Sequence, residues 1–309
     1  MKRYFCILWI VVFLSTGCAA RKNWHSSTLF FFDTVCDVNL CCSEEEYKNL
    51  EKEISDIFSR VEASFAPGAE DYSSLSVIEL FGRAKKIHDD SEGTFDVTVG
   101  PLSRLWGFHG GTNRVPSARE VQAALGHVGM GKVAIENGRL NESAGMILDW
   151  GGIAKGYAVD LAARVMLDRR VKNGFINAGG DLYCWGMNPE GKPWRIGIKS
   201  PRGEGLIGVL NISGVGAATA GDYQRYFEVS GVRYHHIFDP KTGYPARGKQ
   251  SVTVVGPEAA VCDALSTAVF VCSKPEEILA KYADYGAVIV DEKGKFCLIG
   301  KTCGVSFLR

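Results

Sequence analysis

The second half of the chain is a succession of short apolar segments cut by glycine and proline turns, and that pattern constrains the fold more than any other feature. It predicts strands over 174–177, Trp194–Lys199, Leu206–Ile212, 224–229 and 251–255, with a closing hairpin made by 287–290 and 296–299. Helical spacing runs between and before them. Tyr47, Leu50, Ile54 and Phe58 recur at three- and four-residue intervals over 43–58, and Ser43 followed by Glu46 reads as a capping box. Further helices are expected over 74–89, Ala118–Leu125, 153–169 and 260–271. Residues 29–41 read as one strand with an irregularity at Asp33-Thr34, and 133–148 as a hairpin around Asn137-Gly138. Helices and strands alternate without a strict βαβ rhythm, which makes the class α+β with mixed or antiparallel sheets. No repeat, low-complexity tract or linker divides the chain, so residues 29–309 are expected to form one large domain.

The N-terminus reads as a targeting segment. Met1-Lys2-Arg3 is basic, residues 4–14 are almost wholly apolar, and Ser15-Thr16-Gly17 brings small residues up to Cys18. The apolar run is shorter than the ~20 residues of a membrane span. Residues 14–18 resemble the lipobox of bacterial lipoproteins, in which the cysteine is acylated; the other reading is an ordinary cleaved signal with an incidental cysteine. The lipobox reading makes 1–17 a signal peptide, Cys18 the lipidated residue and 18–28 a short tether. It places the protein outside the cytoplasm, anchored in the bilayer on the periplasmic side of a bacterial membrane.

Charge excludes one class of partner. The chain carries 35 Lys+Arg against 35 Asp+Glu, so no basic field exists to gather nucleic acid. Of its ten cysteines, Cys36, Cys41, Cys42, Cys184, Cys262, Cys272, Cys297 and Cys303 lie beyond the lipobox. They form no paired CxxC knuckles, which argues against zinc. Several sit in apolar runs, where a free thiol behaves as a small hydrophobe, so mostly free thiols are expected.

Three segments carry chemistry. In Leu148-Asp149-Trp150-Gly151-Gly152-Ile153-Ala154-Lys155 a strand ends at an acid, two glycines remove side chains, and a helix opens with a lysine in its first turn. Such a junction offers backbone groups and positive charge to an anion, although a glycine pair before a helix is also a common packing device. In Tyr234-His235-His236-Ile237-Phe238-Asp239-Pro240 two histidines and an acid interrupt apolar sequence. A histidine there can move a proton, with a neighbouring acid to orient it; the alternative is a turn with satisfied histidines. In Cys262-Asp263-Ala264-Leu265-Ser266-Thr267 the carboxylate and hydroxyl lie one helical turn apart. Two hard oxygens on one face suit Mg²⁺, while the same pair occurs in plain helix starts.

In this order the three segments resemble the FAD:protein FMN transferase family, the ApbE-like flavin transferases. The resemblance extends to Thr94-Phe95-Asp96 and the sequence through Phe108, to Phe175–Asp181, to Ala218–Tyr223 and, more divergently, to 29–40 and 64–75. It implies a T-fold-like α+β core. It implies Mg²⁺ held by the Gly152 carbonyl, the Asp263 carboxylate and the Thr267 hydroxyl. Contacts to FAD are implied for Thr94, Phe95, Asp96, Asp149 and Lys155, and Phe32, Phe65 and Phe238 occupy positions that line the flavin or adenine pocket. His236 becomes the candidate for moving the proton, with Asp239 as its partner. Three departures stand out: Trp150 where the family usually has Leu, Ala220 where it has Ser, and Phe31-Phe32-Asp33-Thr34 in place of Met-Gly-Thr.

The activity implied is transfer of FMN from FAD to a Ser or Thr hydroxyl of a flavoprotein, such as a subunit of a membrane redox pump, with release of AMP. Two other readings stay open on the sequence. Water could replace the hydroxyl, giving an FAD pyrophosphatase, or the protein could bind flavin without catalysis.

Overall fold

The computed structural model describes residues 22–66, 74–301 and 304–307. The predicted signal segment and Cys18 lie outside the described residues. The frame is an eight-stranded sheet ordered β1-β2-β5-β6-β9-β12-β13-β14, antiparallel at every step. Its strands are β1 (Asn23–Phe31), β2 (Thr34–Cys42), β5 (Gly174–Ala178), β6 (Asp181–Trp185), β9 (Val215–Gly221), β12 (Lys249–Gly256), β13 (Gly286–Asp291) and β14 (Phe296–Gly300). Three long helices, α1 (Glu44–Ser64), α5 (Ala154–Asp168) and α6 (Ala259–Val271), pack on one face. A smaller sheet of β7 (Trp194–Lys199), β8 (Leu206–Ile212) and β15 (Val305–Phe307) closes part of the other, where Ile198, Leu210 and Ile212 meet Leu182, Cys184, Ala217 and Val288. The α+β class follows directly.

The remaining elements cover the edges. They are α2 (Leu75–Asp90), α3 (Gly100–Leu105), α4 (Ala118–Leu125), α7 (Pro275–Leu279) and the hairpins β3 (Val133–Glu136) with β4 (Arg139–Glu142) and β10 (Tyr226–Val229) with β11 (Val232–His235). Leu102, Trp106, Val121, Val128 and Phe238 form a separate small core beside the site.

Local sequence explains the main elements. Helix α1 opens on the Ser43/Glu46 capping box, carries three glutamates in its first turn, and turns Leu50, Ile54, Phe58 and Val61 inward. On β2, Cys36, Val38, Leu40 and Cys42 alternate into the core. Helix α6 is buried almost all round, wedged between α5 and the sheet, which is why it is built from Ala, Ser, Cys and Val.

Several sequence expectations need correction. Residues 29–41 are not one strand: β1 and β2 form a hairpin whose two turn residues, Phe32 and Asp33, both have positive φ (56° and 55°). Such a turn normally announces itself by Asn-Gly; an aromatic in its first position hides it. Residues 23–28, expected in a tether, are already paired in β1. The Asn137-Gly138 hairpin stops at Glu142 rather than 148. Strand β9 was not expected because Val-Gly-Ala-Ala-Thr-Ala-Gly is mostly glycine and alanine; its small residues let α6 sit close, and a Cβ on Gly216 would stand 2.8 Å from the Ala259 backbone. The seven cysteines among the described residues are free, as expected.

Candidate active site

The site lies at the end of the large sheet where the turns Phe32-Asp33 and Gly179-Gly180 meet. Gly179 donates to the Val35 carbonyl, and the Thr34 side chain packs so tightly on Gly179 that no Cβ would fit. The second turn delivers Asp181, at the first residue of β6, beneath the start of α5.

Three ionisable groups meet there, the two acids buried and Lys155 half-buried. Lys155 Nζ stands 2.8 Å from Asp181 Oδ2 and 3.5 Å from Asp263 Oδ2, and donates to the Gly151 carbonyl at 2.9 Å. Asp181 is 3 % exposed and Asp263 5 %. Two buried carboxylates thus share one ammonium. Burial, and then the neighbouring Asp181 carboxylate, raise the Asp263 pKa well above the usual carboxylate range. Asp181 Oδ2 has no well-aligned hydrogen-bond donor despite its ion pair.

Beside this pair of acids lie two oxygens of half-buried residues that bond no other described residue. The Gly152 carbonyl and the Thr267 hydroxyl accept or donate no hydrogen bond among the described residues. The two are neighbours: a Cβ on Gly152 would lie 3.2 Å from Thr267 Oγ1 and 3.3 Å from the Phe95 ring. A carbonyl, a hydroxyl and a carboxylate are hard-oxygen donors of the kind Mg²⁺ takes, alongside the waters and phosphate oxygens it keeps as other ligands. No group of three or more His, Cys, Asp or Glu able to hold a metal occurs among the described residues.

Asp149 anchors the approach to α5. Its Oδ2 accepts from Ser103 Oγ at 2.7 Å and His109 Nε2 at 2.9 Å, and its Oδ1 accepts from the Gly151 N–H at 3.0 Å. Burial alone would raise its pKa; His109, with Ser103 and Gly151, reverses that and holds the carboxylate below its ordinary range. Sequence reasoning assigned no role to Ser103, His109 or Asp181. The acid directly after Gly179-Gly180 was a usable signal for Asp181; Ser103 and His109 carried none.

The paired histidines have different roles. His235 is buried, its Nε2 bonded to the Ala246 carbonyl at 2.9 Å and its Nδ1 accepting from the Ile237 N–H at 3.2 Å. Both nitrogens are used, and burial lowers its pKa to about 4. His236 is half-buried with one bond, Nδ1 to the Arg225 carbonyl at 3.2 Å. A carbonyl only accepts, so Nδ1 carries the proton and Nε2 keeps its lone pair. Burial, then the Arg225 charge, lowers the His236 pKa to about 3, so the ring is neutral at working pH. Asp149 is close enough for its charge to act on His236.

Other predicted residues fall differently. Asp239 is not paired with His236; its carboxylate accepts from the Lys241 N–H and the Thr242 hydroxyl and so organises the following turn. Asp96 accepts from the Thr98 N–H and hydroxyl, and Thr94 donates to the Ser91 and Ala268 carbonyls, tying this loop to α6. Phe65 packs against Trp150 and Tyr157, and Phe238 against Trp106 and Phe108, both buried. Phe32 is half-buried against Phe58, with its N–H on Glu62 Oε1 at 2.5 Å.

Both the sequence and the antiparallel α+β frame of this chain match known proteins. The sequence model of the ApbE family matches residues 32–289, and the chain belongs to that family. Proteins named FAD:protein FMN transferase are 32% identical over 216 residues in Haemophilus influenzae and 35% identical over 214 residues in Vibrio cholerae. These alignments cover 66% and 67% of this chain but only 62% and 63% of the relatives' own lengths. Among solved structures, the ApbE protein of Thermotoga maritima superposes with a TM-score of 0.82 at 34% identity, over 91% of this chain and 98% of that one. The flavinyl transferase ApbE of Pseudomonas stutzeri, in its apo form, gives 0.78 at 29% identity, over 91% and 95%.

Proposed function

We propose that this protein is an Mg²⁺-dependent transferase that moves FMN from FAD to a Ser or Thr hydroxyl of an acceptor flavoprotein and releases AMP. The observation that carries this reading is the cluster in which Asp181 and Asp263 share Lys155 beside the unbonded Gly152 carbonyl and Thr267 hydroxyl. A Mg²⁺ bound by Gly152, Asp263 and Thr267 would neutralise the charge that collects on the FAD diphosphate as AMP departs.

The chain's own groups account for the other requirements. The acceptor oxygen forms a bond to the FMN phosphorus while the bond from that phosphorus to the oxygen of the AMP phosphate breaks, and AMP carries the electron pair away. The hydroxyl proton passes by way of Nε2 of His236, whose lone pair is free, to solvent; with its pKa lowered to about 3 the ring relays the proton and does not hold it. Asp149, fixed by Ser103 and His109, holds the Gly151 turn in place through its N–H. Phe95, against Gly152, offers an aromatic edge at the same point. Asp239 supports His236 only indirectly, through the turn that follows it.

The proposal includes export and a lipid anchor at Cys18. Strand β1 starts at Asn23, at the end of the sheet opposite the Phe32-Asp33 turn. Nine strand residues span roughly 30 Å, so an anchor just before Asn23 would hold the site about that far from the bilayer, level with the exposed part of a membrane-bound acceptor such as a redox-pump subunit. Labelled palmitate should enter the full chain and be lost in Cys18→Ser.

The activity is tested by incubating the protein with FAD and Mg²⁺, with and without an acceptor, and measuring AMP, free FMN and protein-bound flavin. Acceptor-bound flavin with matching AMP is expected. AMP with free FMN only would make the enzyme a pyrophosphatase; no AMP in either case would refute catalysis.

A further inference from the structure

Helix α6, which carries Asp263 and Thr267, is not capped by its own N-terminal residue. Glu258 stands in the N-cap position with the extended backbone such a residue adopts (φ −126°, ψ 127°), yet its side chain makes no cap bond and pairs with Arg83 instead. The cap comes from the neighbouring helix. The Asp160 carboxylate of α5 accepts the Ala259 N–H at 2.8 Å through one oxygen and the Ala260 N–H at 2.9 Å through the other.

This crossing lies one step from the candidate metal site on both helices. Asp160 is five residues beyond Lys155, and Ala260 is three before Asp263, about one turn in each case. Between them the helices touch backbone to backbone. A Cβ on Gly156 would stand 2.4 Å from the Ala259 carbonyl oxygen, and the Gly156 N–H faces Asp263 Oδ2 at 3.4 Å. Bonds to two successive N–H groups fix both the height and the rotation of a helix. Slipping α6 by one residue would move Asp263 by about 1.5 Å along the axis and 100° around it, away from Lys155. A half-buried carboxylate is a demanding cap for a helix, and loss of water around Asp160 raises its pKa to about 6. Helix capping alone could be served by a short polar side chain at position 258, in contact with solvent.

We infer that Asp160 is a positioning residue: by clamping the start of α6 to α5 it places Asp263 and Thr267 against Gly152 and Lys155, and so sets the affinity of the site for a divalent cation. The inference rests on the proposed metal site, and the experiment separates the two.

Binding of Mn²⁺ to the full protein is followed by loss of the free-ion EPR signal, with thermal midpoints measured alongside. Wild type and Asp263→Ala establish the site; equal binding by these two would remove the metal site and this inference with it. Asp160→Ala is expected to weaken Mn²⁺ binding by about ten-fold or more, as loss of a supporting residue behind a metal ligand does. Asp160→Asn, which keeps one acceptor oxygen, should fold where Asp160→Ala does not and bind with intermediate affinity. Adding Glu258→Asp to the Asp160 variant supplies α6 with a local cap. The thermal midpoint should recover while Mn²⁺ affinity stays low. Recovery of both, or wild-type Mn²⁺ affinity in Asp160→Ala and Asp160→Asn, would reduce Asp160 to a simple cap and overturn the inference.

Discussion

Asp263→Asn should make the metal-free protein more stable while removing its response to Mg²⁺. The reasoning starts from two carboxylates sharing one ammonium. Lys155 Nζ is 2.8 Å from Asp181 and 3.5 Å from Asp263, so the two acid oxygens are no further apart than those contacts laid end to end, about 6 Å. At an effective dielectric near 20, two full negative charges at that separation repel by at least ~2.5 kcal/mol. Burial disfavours the Asp263 charge further, and its pKa rises well above the ordinary value. The upper limit follows from linkage. Holding a carboxyl protonated at pH 7, when its unfolded counterpart titrates near 3.9, costs about 4 kcal/mol. Asparagine mimics the protonated acid without that cost, so a gain of roughly 1–4 kcal/mol is expected in the absence of metal.

The sign of the pH dependence gives a second check. A carboxyl whose native pKa is raised binds more protons folded than unfolded, so its contribution is present at low pH. That contribution is lost as pH climbs from the unfolded value, near 3.9, through the raised native one. Urea unfolding in EDTA at pH 5, 6, 7 and 8 should show the advantage of Asp263→Asn growing with pH, by up to ~1.4 kcal/mol per unit. Other titrating groups are common to both proteins and cancel in the difference. Excess Mg²⁺ should then stabilise wild type alone. If the two metal-free stability curves run parallel, or the variant is the weaker at pH 8, Asp263 is not held in electrostatic conflict and the reasoning fails.

Three further outcomes follow from the same geometry. Lys155→Met leaves two buried carboxylates without a counter-ion; it should cost ~3–5 kcal/mol by urea unfolding, and Asp263→Asn on the same background should restore much of the loss. Gly156→Ala drives a methyl to 2.4 Å from the Ala259 carbonyl oxygen, so a loss of about 1–3 kcal/mol in unfolding free energy should accompany a weakened thermal shift with Mg²⁺. His236→Gln should lower kcat by roughly 10²–10⁴ with little change in KM. Because burial holds the His236 pKa down to about 3, His236 should contribute no acid limb to kcat/KM between pH 5 and 7; a limb there that disappears in His236→Gln would refute that neutrality.

Much of the frame was legible because local chemistry and tertiary structure agree there. The capping box of α1, the alternation in β2 and the glycine turn of the β3–β4 hairpin appear where their residues predict. The losses have physical causes. Strand β9 is made of glycine and alanine because a helix must lie on it, and that need is invisible along the chain. The Phe32-Asp33 turn has positive φ at both residues, which is rare for the phenylalanine, and its N–H is held by Glu62 of helix α1. At the site, Asp263, Thr267, Gly152 and Lys155 were each readable from a motif, and the structure brings them together. Asp181, Ser103 and His109 act through contacts 46 or fewer residues from their partners along the chain. No single segment contains both ends of such a contact. Asp239 misled for the opposite reason: an acid three residues from a histidine suggested a pair, but a nearer N–H and hydroxyl captured its carboxylate.

The placement of this conflict matters as much as its size. A buried pair of acids beside one lysine could be relaxed by a small parting of α5 and α6, letting water reach Asp263. The seam forbids that relaxation: Gly156 and Gly216 bring Ala259 into backbone contact on two sides, and Asp160 holds the start of α6 with two bonds. The conflict is therefore not relieved by movement: in the metal-free protein a proton on Asp263 relieves it, and the proposed divalent cation would take that proton's place while leaving the helices where they are. In the proposed site the small residues of α6 and β9 would serve cation binding as much as the carboxylate itself. Stabilising substitutions on α6 should accordingly divide in two: those that relieve the charge will abolish the Mg²⁺ response, and those that tighten the seam will preserve it.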